Sequence, residues 1–360
     1  MLSLTHCRNS FLLITMKTLK IYALLFGICS LGASAQDPQY SQFYANPLYL
    51  NPAFAGSALA PRLTVNYRNQ WPSQGSFVQT SFGVDHFMPS LNSGVGLLVT
   101  DDSQGNSAIR MTDVTGLYAY QLKINDGLAV RLGLQASYAN RRGDFTGLIF
   151  GDQLTDTGPT GNPTRDPLIT DTTPSISYLS FGGGLLVYSD IFWLGTAVKH
   201  VNQPNLGFYN AGNTNNRLPM NISVHGGFKI PFGGYTGLGD ELDREKSITP
   251  AFNYRHQGRF DQLDVGVYAT YAPLVLGLWY RGLPLKKYAQ NINNHDAAVI
   301  LVGYRYDNFS FGYSYDATIS SLGPASGGSH EISLSYTFSE WGGGRDRSRR
   351  KDNKLPCPKF

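Results

Sequence analysis

The chain has 360 residues, only 15% of them charged, while glycine (40), tyrosine (22) and phenylalanine (20) are abundant. A charged fraction this far below the roughly 25% of a soluble domain points away from a water-soluble enzyme and toward one large all-β unit. The formal charge of +4 is small and much of it is local, so no nucleic-acid partner is expected.

The first 35 residues read as export machinery. Met16-Lys17-Thr18-Leu19-Lys20 supplies a basic start, Ile21 to Leu31 an apolar stretch, and Ala33-Ser34-Ala35 a small-residue cleavage site. Residues 1–15 then lie upstream of the true start at Met16. Cys29 raises a lipoprotein signal, but simple cleavage before Gln36 fits the flanking residues better. Cys7 and Cys29 precede that cleavage, so Cys357 is left alone and no disulfide framework is expected. No later stretch approaches the roughly 18 apolar residues of a membrane-spanning helix. An exported chain without one can still cross a membrane as a closed barrel, in which every backbone group pairs with a neighbouring strand.

Residues 36–61 form the next unit. Pro38, Pro47 and Pro52 remove backbone donors, and the Asn-Pro steps disfavour helix at Asn46 and Asn51, so an extended, turn-rich course is expected. Five aromatics, Tyr40, Phe43, Tyr44, Tyr49 and Phe54, are too many for a solvated linker. The segment is therefore expected to pack inside a barrel, at its lower lumen or periplasmic mouth, as a plug or docking element. Its candidate residues are Tyr40, Phe43, Tyr44, Asn46, Pro47, Asn51, Pro52 and Phe54.

Period-two alternation then recurs across 62–339. Leu128, Val130, Leu132, Leu134, Ala136 and Tyr138 oppose Arg131, Gly133, Gln135 and Ser137, and Leu263, Val265, Val267, Ala269 and Tyr271 oppose Asp264, Gly266, Tyr268 and Thr270. Ile332, Leu334, Tyr336 and Phe338 likewise oppose Ser333, Ser335 and Thr337. Strands of about ten residues, aromatic ends such as Tyr67, Tyr138, Tyr280, Tyr306 and Phe338, and the signal peptide favour an outer-membrane barrel over a soluble sandwich. Fourteen antiparallel strands are expected: 62–71, 77–88, 94–101, 108–124, 127–140, 176–188, 191–202, 219–230, 248–257, 262–271, 274–282, 296–306, 309–319 and 330–339. Short periplasmic turns then alternate with longer extracellular loops at 141–175, 203–218 and 283–295, and an even strand count returns both mature termini to the periplasm. The connection 231–247, ending in the charged Asp240 to Lys246, breaks this asymmetry. Residues 340–360 read as a basic, flexible periplasmic tail.

No catalytic set emerges. His86, His200, His225, His256, His295 and His330 are scattered, and neighbours such as Asp85-His86 and His330-Glu331 point to opposite faces of a strand. There is no G-x-S-x-G, no H-E-x-x-H and no phosphate loop, so neither an enzymatic activity nor a cofactor or metal is expected. Asp101-Asp102 with Asp113 matches no calcium loop and reads as solvated loop. Arg131, Lys199, Lys229, Arg281 and Arg305 fall on polar strand faces, where carboxylates such as Asp264 and Asp316 would pair with them across a lumen.

The opening Gln36-Asp37-Pro38-Gln39-Tyr40-Ser41-Gln42-Phe43-Tyr44, followed by Asn46-Pro47-Leu48-Tyr49-Leu50-Asn51-Pro52-Ala53-Phe54-Ala55-Gly56, resembles the start of mature PorP/SprF-family membrane proteins of the Bacteroidetes type IX secretion and gliding-motility system. Further resemblances follow in order. His200 with Gln203-Pro204 looks like the family's His-x-x-Gln-Pro element, and Tyr254-Arg255-His256-Gln257-Gly258 with Leu278-Trp279-Tyr280-Arg281 like its next block. Gly312 to Thr318, containing Asp316, and Ser329-His330-Glu331-Ile332 resemble its penultimate hairpin, and Cys357-Pro358 its tail. The resemblance implies a non-enzymatic outer-membrane barrel partnered by type IX secretion and periplasmic components, by outer-membrane lipid, and by a secreted adhesin-like protein with a C-terminal secretion domain. Its candidate lumen or loop positions are His200, Gln203, Pro204, His256, Arg281, Asp316, His330 and Glu331, with Cys357 in the tail. A diffusion porin with an open lumen is the alternative, since fourteen strands are enough for one if nothing fills it.

Overall fold

The structure, a computed structural model, describes residues 36–75, 77–105, 108–165, 173–208, 216–232, 246–289, 292–320 and 323–338; side chains of 284–289 and 292–293 are outside the description. The expected signal peptide, the basic tail with Cys357, most of the 231–247 connection and parts of loops 141–175 and 203–218 therefore lie outside the described residues.

Fourteen long strands build the wall. They are β1 (Arg62–Gln70), β2 (Phe77–Met88), β3 (Ser93–Gln104), β4 (Ile109–Asn125), β5 (Leu128–Gly143), β6 (Ser175–Tyr188) and β7 (Phe192–Lys199). The second half has β8 (Asn221–Phe228), β9 (Lys246–Gln257), β10 (Phe260–Tyr271), β11 (Leu274–Ala289), β12 (Ile292–Tyr306), β13 (Phe309–Thr318) and β14 (Ser329–Thr337). Each is antiparallel to its sequence neighbour, and β1 pairs with β14 from Arg62↔Thr337 to Gln70↔Ser329, which closes the sheet on itself. Closure removes the unpaired edges that an open sheet would expose.

The alternating pattern sorts the side chains as their chemistry requires. Leu132, Leu134 and Val265 are 56, 65 and 46% exposed, whereas Arg131, Ser137 and Asp264 on the opposite face are buried. The apolar face thus points outward, as in a barrel solvated by lipid, and the polar face points in. Tyr271, Tyr306 and Phe309 stand outward near one rim, and Tyr67, Tyr138 and Tyr315 toward the other.

The two ends differ. One, called the turn end, carries the tight connections at 89–92, 126–127, 189–191, 272–273 and 307–308, together with the long 229–245 connection between β8 and β9. Asn92 and Asp307 take left-handed conformations there, which Asn and Asp tolerate best among residues with a Cβ. The other, the loop end, carries the long connections 144–174 and 200–220 beside shorter ones such as 71–76, 105–108 and 258–259. Two sequence expectations change. The 283–295 loop is largely strand, because β11 runs to Ala289 and β12 starts at Ile292, with register shifts after Arg281 and Leu283. Asp101, Asp102 and Asp113 lie in β3 and β4, where Asp101 pairs with Arg110 at 2.9 Å, and not in a solvated loop.

Residues 36–56 run inside this wall. Pro47–Leu50 forms a single helical turn, α1, and Pro52–Phe54 a 3-10 turn. Proline disfavours helix at the residue before it and in a helix interior, but it suits the first helical position. Asn46 and Asn51 are accordingly non-helical N-caps, and the course is less extended than the sequence suggested.

Candidate functional site

Asp37 marks where the segment meets the loop end. Its backbone N–H donates to Gln257 Oε1 at 2.9 Å, and its carboxylate accepts from Asn221 Nδ2 at 2.8 Å and His200 Nε2 at 2.9 Å. His200 follows β7 in a turn closed by Gln203 N–H donating to His200 O at 2.9 Å, with both residues at positive φ, while Pro204 O accepts from Leu218 N–H. The His200–Pro204 element is therefore a rim turn that aims one imidazole at the lumen segment. Burial raises the Asp37 carboxyl, but the facing His200, their hydrogen bond and the nearby Lys199 more than reverse this and hold it below the usual carboxylate range.

One level deeper, Ser41 and Gln42 enter an ionic clamp. Ser41 Oγ donates to Asp316 Oδ2 at 2.6 Å and accepts from Arg68 Nη1 at 2.7 Å and Arg281 Nη2 at 2.8 Å. The N–H groups of Ser41 and Gln42 donate to the two oxygens of Glu331 at 2.7 and 3.0 Å. Gln42 Nε2 reaches Glu331 O and Ser314 Oγ, and its Oε1 accepts from Ser333 Oγ at 2.6 Å. The wall charges are paired among themselves: Arg68 with Asp316 and Glu331 at 2.8 and 3.1 Å, and Arg281 with Asp264 and Asp316 at 2.7 and 2.9 Å. All five are buried, and charges buried at such cost persist only when paired and hydrogen-bonded.

Below the clamp the contacts are aromatic. Phe43 meets Trp279 edge-on at 4.9 Å, Tyr44 meets Trp193 at 5.3 Å, and Phe54 stacks on His225 at 5.5 Å. Trp193 Nε1 donates to Tyr44 Oη at 3.1 Å, which satisfies the buried indole. Asn46 Nδ2 donates to Ser81 Oγ at 2.8 Å, and Asn51 Nδ2 lies 3.1 Å from Thr196 O and 3.2 Å from His225 Nε2.

At the turn end the wall becomes glycine. A Cβ on Gly133 would overlap the backbone at Pro52–Ala53, one on Gly94 the Ala55 carbonyl, and one on Gly184 the Asn51 side chain. Glycine here allows direct backbone approach. Arg131, expected to pair with a carboxylate, instead donates to the Ala53 carbonyl and Gln121 Oε1 at 2.8 and 2.7 Å, and also to the Ala55 carbonyl. Gly56 N–H donates to Asp85 Oδ2 at 2.7 Å, and Asp85 also holds Arg62.

The eight segment residues singled out from sequence thus all lie in the lumen. Of the family-type positions, Arg281, Asp316 and Glu331 meet in one clamp and His200 caps the loop end. His330 and His256 do not face the lumen. His330 packs outside against Tyr315 at 5.1 Å, and His256 lies at the rim 2.6 Å from Asp261. Alternation places Glu331 inward and His330 outward, so one motif serves two faces. Sequence reasoning did not single out Arg68, although it falls on the polar side of β1 with Thr64 and Asn66. The segment also runs further than expected, from the loop end through the lumen to the turn end, and small residual space beside it is lined by Tyr40, Tyr49, Lys199, Asn253 and Arg255.

The family of type IX secretion system membrane proteins PorP/SprF matches residues 32–336. The chain belongs to the PorP/SprF family. That match includes both the lumen segment and the wall residues that clamp it. Among solved structures the PorP/SprF barrel is similar to the toluene transporter TodX of P. putida, with 10% identity over 81% of this chain and 93% of that one and a TM-score of 0.43. It is similar too to a FadL homologue of Pseudomonas aeruginosa, with 12% identity, 79% and 93% coverage and a TM-score of 0.41. The KdgM porin follows with 10% identity, 77% and 99% coverage and a TM-score of 0.33. No curated protein matches the chain.

Proposed function

We propose that this PorP/SprF barrel is a plugged, non-enzymatic outer-membrane scaffold of type IX secretion. Exported by a signal peptide ending at Ala35, it holds a secreted adhesin-like partner at its loop end and meets the secretion and periplasmic components at its turn end. Residues 36–61 are the plug, 62–339 the barrel and 340–360 a periplasmic tail carrying Cys357. The observation that carries this reading is the filled lumen: at the loop end, in the middle and at the turn end, segment groups satisfy wall groups directly. Family membership supports a link to the secretion machinery, and the two long connections 144–174 and 200–220 support binding at the loop end.

Single-channel recording of the purified barrel in planar bilayers tests the plug. Silence, with conductance appearing when residues 36–56 are deleted, is expected; a large steady conductance of the intact protein would make it a diffusion porin. Co-purification from native membranes in mild detergent tests the scaffold, which fails if the barrel comes alone, with neither secreted nor periplasmic protein.

A further inference from the structure

The segment has a direction, and that direction fixes which side its amino-terminal end faces. Asp37 is held by His200, Asn221 and Gln257. All three lie at the loop end: His200 just after β7, Asn221 at the start of β8 and Gln257 at the end of β9. Gly56, at the other end of the segment, is held by Asp85 near the turn end of β2, and at Arg62 the chain enters β1 from that same end. In between, the chain starts from Ser41–Gln42 on Glu331, dips with Tyr44 to Trp193, returns with Tyr49 to Pro38 and Lys199 near the loop end, and finishes with Ala53 on Arg131.

We propose that the amino-terminal end of the lumen segment, Gln36–Asp37, is displayed at the loop mouth, so that the chain threads the whole barrel from the loop side to the turn side before β1 begins. Both mature termini were expected on the turn side; here the amino-terminal end emerges opposite. Gln36 is exposed, whereas Tyr40–Leu48 and Leu50–Gly56 are buried. Within residues 36–56 the exposed residue is therefore the one at the loop end. Because its base is covalently continuous with β1 at the turn end, the segment can leave the lumen completely only toward the turns. A partner bound at the loops meets this end, whereas one docked at the turns does not. The proposal rests on the scaffold reading only for which mouth faces outside the cell.

The test uses the full-length precursor in cells, with Cys357→Ser as background. Single cysteines are placed at Gln36 (Gln36→Cys), in the loop connection (Thr160→Cys) and in a tight turn (Asp190→Cys). A membrane-impermeant maleimide is applied before and after outer-membrane permeabilisation. Gln36→Cys is expected to label in intact cells together with Thr160→Cys, while Asp190→Cys labels only after permeabilisation. Protection of Gln36→Cys together with Asp190→Cys would overturn the threading. If Asp190→Cys labels first and Gln36→Cys still follows Thr160→Cys, the threading stands and the orientation of the scaffold reading falls. Since Gln36→Cys borders the cleavage site, a second variant removes dependence on it: Asp37→Cys with Gln257→Cys is expected to form a disulfide that pins the segment to the loop end of β9. Persistently free thiols at both positions in the assembled, oxidised barrel would overturn the proposal as well.

Discussion

Replacing Arg281 by leucine perturbs the clamp at its most connected point. Its guanidinium bonds Asp264, Asp316 and Ser41 at 2.7, 2.9 and 2.8 Å. Without it Asp316 keeps Arg68 at 2.8 Å, but the nearest cation left to Asp264 is Arg255 at 3.8 Å. Removing one partner of a buried ion pair costs about 3–5 kcal/mol, because a desolvated charge is stranded. Since each 1.4 kcal/mol is tenfold, the folded-to-unfolded ratio should fall by more than roughly a hundredfold. Urea titration of the barrel in lipid vesicles, followed by the fluorescence of Trp193 and Trp279, reads this directly. Adding Asp264→Leu removes the stranded carboxylate and should recover most of the loss. A drop of under about 1 kcal/mol, the size of an exposed pair, would refute the description of the clamp as a desolvated network.

Three further expectations follow from other parts of the molecule. Leu132→Arg, on the outward face of β5, should cost about 2–4 kcal/mol at the bilayer midplane, whereas Leu132→Phe should assemble normally in the same vesicles. Gly133→Val collides with the Pro52–Ala53 backbone and should unseat the base of the segment, at an overpacking cost of about 1–3 kcal/mol; proteolysis between residues 36 and 56 of the assembled variant would reveal it, and continued full protection would count against close backbone approach. The Asp37 carboxyl is held low in the folded protein. Its contribution is therefore complete above the ordinary aspartate value of about 3.9 and is lost as pH falls below it. The loop-end contact should survive from neutral pH down to that value, which a fluorophore placed at Gln36→Cys would report; release already at pH 6 would show that Asp37 is not what holds it.

The wall was legible in the sequence because lipid on one side and a polar interior on the other enforce alternation residue by residue. Where that constraint ends, legibility ended too. Pro284, Lys286 and Lys287 break the pattern in β11 and made its extension read as loop, since a strand rising beyond the bilayer no longer needs an apolar outer face. The aromatic content of 36–56 announced a packed segment, but its path could not be read. Ser41 meets Glu331 across 290 positions of sequence, and the closing of the barrel brings them together. Arg131 shows the same limit: alternation gives its face, yet its partners are backbone carbonyls of another segment, which no residue type advertises.

Arg68 and Glu331, which grip Ser41 and Gln42, are also direct partners across the β1–β14 pairing that closes the barrel. First and last strands must meet for the barrel to close, and the two charged residues at their junction are completed by groups of the lumen segment. The segment is thus part of the seam itself: a barrel closed without it would bring a carboxylate and a guanidinium to that junction short of the hydroxyl and amide groups that complete them.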